Sequence, residues 1–595
     1  MEMWLEIGEI AQTITFSEEE DQLIWKYESK GFYSSKSLAN AGGEHHQAAA
    51  LLASAGDAFA LEVNRLLVSL SPVVDSVLEQ LLRAWSFLAV PLFTGAVTLC
   101  MAMSVMVLAE KVFLGTVSAA ANLFRSRRRR RPGKGRSARR GVDPAVLLDE
   151  EAGGGGGGSA AFPMVLVQIP MYNEREVYQL SIGAACRLTW PADRLIVQVL
   201  DDSTDDTIKE LVRAECERWA SCGVDVRYEA RNDRAGYKAG NLTEGMRHGY
   251  ARSCEFVAIF DADFQPAPEF LADTVPLLLR DPRLALVQTR WEFVNADECL
   301  LTRMQEMSMD YHFKVEQQAG SSLCSFFGYN GSAGVWRRQA IEESGGWDDR
   351  TTAEDMDLAL RAALLGWEFV YVGAVKVRSE LPSSLKAYRS QQHRWSCGPA
   401  LLFKKMFWEI LAAKEVSIWK KFYIVYDFFV ARRIVSTFFT FFFFSVLLPA
   451  KLLFPQVAIP TWEMIYIPTV TTLLNSVGIP QRSLHLVVPW MTFENAMALH
   501  GFKAILIGLF EAGRANEWIV THKSGNVGQK VKSVTPGDYL KQRFHGMELL
   551  MGALLLVSGC YDFLYGHGYF YLFALPQSIM YFMIGFEILG VSACS

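Results

Sequence analysis

Apolar and polar positions follow two different patterns along the chain. Between Phe162 and about Phe403, short β-branched runs at Val165–Ile169, Leu195–Leu200, Val224–Glu229, Phe256–Phe260, Leu284–Thr289 and Phe369–Val372 are mostly separated by stretches with helical apolar spacing. That alternation predicts βαβ units and a mainly parallel sheet in an α/β domain. Ligands of such sheets gather at the carboxyl ends of the strands. Outside this window the pattern changes to long apolar blocks. Phe87–Leu108 matches the ~20 apolar residues that cross a bilayer, and it lies too far from the N-terminus to read as a cleavable signal. Further blocks follow at Ile434–Phe454, Ile465–Val477, Leu484–Leu499, Met547–Leu564 and Tyr569–Val591. The second and third of these are short or interrupted by Pro and Glu. Phe502–Arg514 mixes Lys503, Glu511 and Arg514 with an apolar stripe and predicts a helix lying on the bilayer.

Length and charge refine this plan. The chain has 595 residues, more than one ordinary domain needs, and is 51% hydrophobic. Its net charge of −6 argues neither for nor against an anionic partner. The ten cysteines include no C-x-x-C pair, so neither a zinc site nor a disulfide framework is indicated and a reducing environment fits best. An arginine run from Arg125 to Arg131, continued by Lys134, Arg136, Arg139 and Arg140, follows the first apolar block. Beside a membrane span it reads as a cytosolic anchor touching anionic lipid rather than as a nucleic-acid patch. Gly153–Gly158 is a flexible linker.

Candidate chemistry falls at strand ends. The second strand ends in Asp201-Asp202, which can bind a base or ribose hydroxyls, or can simply cap the next helix. The fourth ends in Asp261-Ala262-Asp263. Two carboxylates at this spacing can share Mg²⁺ or Mn²⁺ with a diphosphate, although surface loops supply many such pairs. Thr351-Thr352-Ala353-Glu354-Asp355 opens a helical stretch, where a carboxylate can be a general base or an acid favoured by the helix dipole. Gln391-Gln392-His393-Arg394-Trp395 offers an amide, a cation for a leaving diphosphate and an indole to stack on a pyranose.

The order Asp-Asp, D-x-D, E-D, Q-x-x-R-W resembles the inverting family-two glycosyltransferases, in the processive branch with cellulose synthase. Pro170-Met171-Tyr172-Asn173-Glu174, Gly236-Tyr237-Lys238-Ala239-Gly240, Phe326-Phe327-Gly328-Tyr329-Asn330-Gly331 and Gln391–Pro399 are similar to the plant cellulose synthase-like family A, the glucomannan 4-β-mannosyltransferases. The likeness extends over roughly residues 85–595. It implies a GT-A, Rossmann-like domain inserted between transmembrane helices, GDP-mannose and GDP-glucose as donors, a growing polysaccharide acceptor, a divalent cation, and a multi-pass Golgi membrane protein of cell-wall synthesis. It also implies roles. Asp201 and Asp202 hold the nucleoside, Asp202 counting with Asp355 as catalytic. Lys238 binds substrate, and Asp261 and Asp263 serve the diphosphate, Asp263 as metal ligand. Asp355 is the base, while Gln391, Arg394 and Trp395 bind pyrophosphate and the acceptor end. Trp518–Lys523 resembles the gating loop of bacterial cellulose synthase, with an ordinary juxtamembrane turn as its alternative.

The resulting division is an extension over 1–70, a first span over 85–110, a basic and Gly-rich linker over 125–160, the catalytic domain over 162–403 and a membrane bundle over 404–595. The extension departs from the family. Leu23–Gly31 resembles a retrotransposon fragment without its cysteines, which points to a gene-model fusion or a disordered arm. The expected reaction is one inverting displacement that forms a β-(1→4) bond, on the cytosolic side because of the Arg125–Arg140 cluster. The alternatives are a β-1,4-glucan synthase using another nucleotide sugar and, from another class, a catalytically dead scaffold or a transporter. Membrane lipid is an expected partner and nucleic acid is not; homo- or hetero-oligomers are both compatible with the sequence.

Overall fold

A computed structural model of the chain describes residues 85–130, 162–510 apart from 232, 455 and 461, and 544–590 apart from 567 and 568, with isolated positions between 76 and 83. The extension over 1–70, the side chains of the Arg125–Arg140 cluster, the Gly153–Gly158 linker and the Trp518–Lys523 loop lie outside the described residues. The chain forms two compact units, Met1–Pro91 and Leu92–Ser595. Of the first, the described part is chiefly the π-helical turn Trp85–Ala89, which buries no residue.

The strands are β1 (Val165–Met171), β2 (Leu195–Asp201), β3 (Val226–Ala230), β4 (Phe256–Ile259), β5 (Leu284–Phe293), β6 (Gly334–Arg337) and β7 (Glu368–Ser379). They form one seven-stranded sheet in the order β3-β2-β1-β4-β6-β5-β7. β1, β2, β3 and β4 pair in parallel, as do β5 and β7, whereas β6 runs antiparallel to β4 and β5. Every run named from the sequence is a strand. Four-residue β6 is the addition, too short to stand out from its apolar surroundings.

β2 is buried along its whole length, as expected of a parallel strand covered on both faces. Successive residues of β1 feed opposite cores: Val165, Val167 and Ile169 join one cluster, while Leu166 joins the other. The helices that matter for the site are α1 (Val90–Arg130), α2 (Asp206–Ser221), α3 (Tyr237–Arg247), α4 (Leu300–Tyr311), α5 (Glu354–Leu364) and α6 (Leu385–Ala412). Asp205 caps α2 by accepting from Thr207 N, and Ser384 caps α6 by accepting from Ala387 N. α3 presses on the sheet at Gly245, where a Cβ would come within 2.6 Å of Gln198 Oε1 and 2.7 Å of Gln168 Nε2. Only glycine permits that approach.

The membrane part differs in detail from its expected form. Among the described residues, Trp85–Phe124, Ile418–Leu453 and Gly546–Tyr565 are long and apolar enough to cross a membrane. The second begins well before Ile434, because Asp427, Arg432 and Arg433 are carried inside one continuous helical stretch, called α7 below. Ile465–Val477 yields the ten-residue helix Ile467–Ser476, and the last apolar block yields Tyr571–Gly585. The block at Leu484–Leu499 and the start of the expected interfacial helix fuse into α8 (Val487–Phe510). Its apolar faces pack against α6, with Cys397 and Leu401 meeting Ala504, so Phe502–Phe510 forms the last turns of that helix.

Candidate active site

The carboxyl ends of β1, β2 and β4 open onto a cavity of about 570 Å³ whose other walls come from α5, α6, α7 and α8. Backbone chemistry sets its rim. At the end of β1, Asn173 adopts φ 54°, donates from its backbone N–H to Ser203 Oγ at 2.8 Å and accepts at Oδ1 from Thr204 N at 3.0 Å. The β1 and β2 ends are thereby locked together. Asp201 and Asp202 then part. Asp202 lines the cavity and is gripped by Arg231 through Nε at 2.8 Å and Nη2 at 2.6 Å. Burial pushes its carboxyl above the ordinary range, and the Arg231 guanidinium opposes that. Asp201 is fully buried behind the wall, accepting from Ser203 N at 2.8 Å and from Tyr228 Oη at 2.9 Å. Of the two expected acids only Asp202 therefore lines the cavity, because neighbouring residues point opposite ways and Asp201 is used to join β2 to β3. On the same rim the Arg234 guanidinium lies 3.5 Å from the Tyr172 ring centre, a flat cationic plate.

Asp261, Asp263, Lys238, Asp355, Gln391, Arg394 and Trp395 all line this one cavity. Lys238 Nζ donates to Asp261 Oδ1 at 2.5 Å and to Gly331 O at 2.9 Å. Burial alone would lower its ammonium, but the surrounding carboxylates Asp261, Glu354 and Asp355 hold it above its usual value. Asp263 Oδ2 accepts from Glu380 N at 3.1 Å. Among the described residues no group of three His, Cys, Asp or Glu side chains is arranged to hold a metal. An ion here would take one or two carboxylates from the Asp261–Asp263 loop and complete its shell with phosphate and water. That is how Mg²⁺ ordinarily binds beside a diphosphate, so the donor set fits.

Glu354 and Asp355 open α5 side by side and are both raised, foremost by burial; each also feels nearby carboxylate charge, countered by Lys238. Asp355 Oδ1 accepts from Met356 N at 2.7 Å, and its Oδ2 faces Gly331. That glycine has φ +80°, and a Cβ on it would stand 2.8 Å from Asp355 Oδ2. Asp357, the next acid on α5, is fully buried between Arg350 and Arg361 at 2.5 and 2.8 Å and belongs to the fold. On α6, Arg394 is lowered by burial, with Glu354, Asp261 and Asp355 opposing. Trp395 remains 37% exposed on the cavity wall.

The sequence reading passed over several wall residues. Arg432 and Arg433 of α7, with Glu316 and His312 of the π-helical stretch His312–Gln317, also line the cavity. Arg432 reaches Asp427 at 2.6 Å, Glu110 of α1 at 3.4 Å and Glu316 at 3.8 Å. The available signal was the pair of arginines inside an apolar run, since ionisable groups there face a partner or a pathway.

Comparison with known proteins accords with this geometry. The family model "Glycosyl transferase family 2" matches residues 166–343, and "Glycosyl transferase family group 2" matches residues 256–502. Among curated proteins, a "Probable glucomannan 4-beta-mannosyltransferase 6" of Oryza sativa subsp. japonica is 69% identical over 89% of this chain and 91% of its own length. "Glucomannan 4-beta-mannosyltransferase 9" of Arabidopsis thaliana is 55% identical over 84% of this chain and 92% of its own. Among solved structures, a mannosyltransferase from Pyrobaculum calidifontis aligns at 20% identity and a TM-score of 0.41, covering 68% of this chain and 99% of that one.

Proposed function

The chain belongs to the glucomannan 4-beta-mannosyltransferases within glycosyl transferase family 2, and from that membership we propose how its cavity builds a polysaccharide. The enzyme transfers mannose, and also glucose, from a GDP-sugar to a growing β-1,4-linked (gluco)mannan chain. The observation that supports this best is the convergence of Asp202, Lys238, Asp261, Asp263, Asp355 and Arg394 on a single cavity. The Asp202–Arg231 pair and the Tyr172–Arg234 plate receive the nucleoside, and Asp201 braces that loop from behind. Lys238 and Arg394 face the diphosphate, with Gln391 beside them. A divalent cation bound at Asp263 supplies further neutralisation of the diphosphate.

Asp355 accepts the proton of the acceptor 4-hydroxyl, whose oxygen attacks C1 of the α-linked donor as the bond to GDP breaks. The product bond is β. Cations placed where charge develops on GDP stabilise the transition state more than the ground state. Trp395 supplies an exposed indole face for the pyranose next in the chain. The protein is a membrane protein, and among the described residues three helices are long and apolar enough to cross a membrane. We place it as a multi-pass protein of the Golgi membrane, with the catalytic domain on the cytosolic side where nucleotide sugars are made and the polymer leaving through the helical bundle.

A donor screen on membranes containing the full chain tests this reading. GDP-mannose should give a polymer that endo-β-1,4-mannanase digests, GDP-glucose should be incorporated alongside it, and EDTA should silence both. Polymer made from another nucleotide sugar alone would favour the glucan-synthase alternative, and full activity in EDTA would exclude the metal role of Asp263.

A further inference from the structure

The helix that carries Gln391, Arg394 and Trp395 is gripped at its start by a helical hairpin that follows α8. The catalytic domain secures the loop before α6: Gln305 Nε2 donates to Pro382 O at 2.9 Å, and Leu381 N donates to Asn295 Oδ1 at 2.8 Å. From Ser384 onwards the hairpin adds contacts of its own. Its helices, α9 (Gly546–Tyr565) and α10 (Tyr571–Gly585), pack along each other, and His545 N donates to Gly585 O at 3.0 Å where they meet. Two groups are thereby brought to α6 from one place. Just past α10, Gly590 pairs antiparallel with Ser384, the cap of α6. The approach is tight, since a Cβ on Gly590 would stand 2.5 Å from Ser383 O and 3.3 Å from Leu385 N. Leu589 is buried in one apolar cluster with Leu385 and Tyr388 of α6, Ile584 of α10, Leu301 of α4 and Phe493 of α8. Further along α6, the Arg389 guanidinium meets Glu548 of α9 at 2.7 Å, with side chains only 16% and 6% exposed. An ion pair so far out of water holds only in good geometry, which fixes the spacing of the two helices. The Arg389 carbonyl also accepts from His500 Nε2 of α8 at 2.9 Å. None of Ser384, Arg389, Glu548 and Gly590 lines the cavity. They stand behind it, and Gln391 follows in the next turn of α6.

We propose that Arg389, Glu548 and Gly590 are positioning residues for donor binding: they clamp the first turns of α6 to the α9–α10 hairpin and so set where Gln391 and Arg394 meet the diphosphate. This rests on the reading of Gln391 and Arg394 as diphosphate contacts and adds what holds them in place. A hydrogen-bonded helix is stiff over two turns, so a shift of its first turn is passed on to Arg394. Guanidinium–phosphate hydrogen bonds depend steeply on distance and angle, and they weaken when the fork is moved. The nucleoside is received elsewhere, by Asp202 with Arg231 and by the Tyr172–Arg234 plate, at the ends of β1 and β2 and after β3. The clamp therefore acts on the phosphate part of the donor and leaves the nucleoside part alone. In this arrangement a pair of membrane-bundle helices belongs to the donor site without touching the donor.

The test uses the full chain in lipid nanodiscs, with GDP and guanosine as inhibitors of transfer from GDP-mannose. Glu548→Gln keeps the shape of the carboxylate and removes its charge, Arg389→Met removes the cation, and Gly590→Val forces the Leu589–Gly590 segment away from α6. Thermal unfolding sets an assay temperature at which every variant is folded. We expect the GDP inhibition constant and the donor KM to rise about tenfold or more in each variant. The guanosine inhibition constant should stay within about twofold, as for a site that is not coupled to the change. Arg389→Lys should recover most of the GDP affinity lost in Arg389→Met. The inference is overturned if folded Glu548→Gln and Gly590→Val bind GDP as the native enzyme does. It is equally overturned if guanosine weakens as much as GDP, which marks a general loss of structure. Arg394→Ala separates the two levels of the reading: if it leaves GDP inhibition unchanged, the functional role given to α6 falls, and the clamp with it.

Discussion

Asp355 and Glu354 open α5 side by side, and in the proposed mechanism it is Asp355 that takes the proton. Both are buried, raised and close to Lys238, and the oxygen nearest Gly331 is Asp355 Oδ2. A base must be unprotonated to act, so a raised carboxyl moves the acid limb of the rate upward. The limb of kcat against pH should therefore lie above the ordinary carboxylate range, with activity present above it and lost as pH falls through it. A limb at or below about pH 4 would show that Asp355 is not held in this environment during turnover. The sequence singled out this residue because Glu354-Asp355 matches the E-D motif of the family pattern. It put both Asp201 and Asp202 on the nucleoside; that only Asp202 lines the cavity depends on Tyr228 of β3, which holds Asp201 behind the wall.

Among the elements, the sheet was legible because each of its parallel strands is a β-branched run flanked by helical spacing. β6 was not, since Gly334–Arg337 earns its place only by pairing with β4 and β5. The membrane helices were legible where they are purely apolar and blurred where charge interrupts them. Asp427 and the two arginines broke the apolar count, and only tertiary structure reveals that Arg432 is answered by Glu110, Asp427 and Glu316 from three separate elements. That arrangement ties α1 to α7 and to the cavity wall. Removing one member of a buried ionic cluster leaves its partners uncompensated, which typically costs about 3–5 kcal/mol. Arg432→Met should accordingly lower the unfolding temperature of the detergent-solubilised protein, and Arg432→Lys should restore part of it. An unchanged unfolding temperature in Arg432→Met would mean that the cluster contributes nothing to cohesion.

At the scale of the whole molecule, a catalytic domain set between apolar helices needs its donor on one side and an exit for its product on the other. In sealed Golgi vesicles, protease added without detergent should cut within 162–403, as the cytosolic placement requires; full protection would place the site in the lumen. The central claim is that this cavity polymerises mannose with Asp355 as its base. It is tested most directly by measuring labelled mannose incorporated from GDP-mannose into mannanase-sensitive polymer by the purified full chain, native beside Asp355→Asn. The account predicts polymer from the native enzyme and a loss on the order of 10²–10⁴-fold in the variant, with GDP-mannose binding retained. Polymer formed at near-native rates by Asp355→Asn would contradict it.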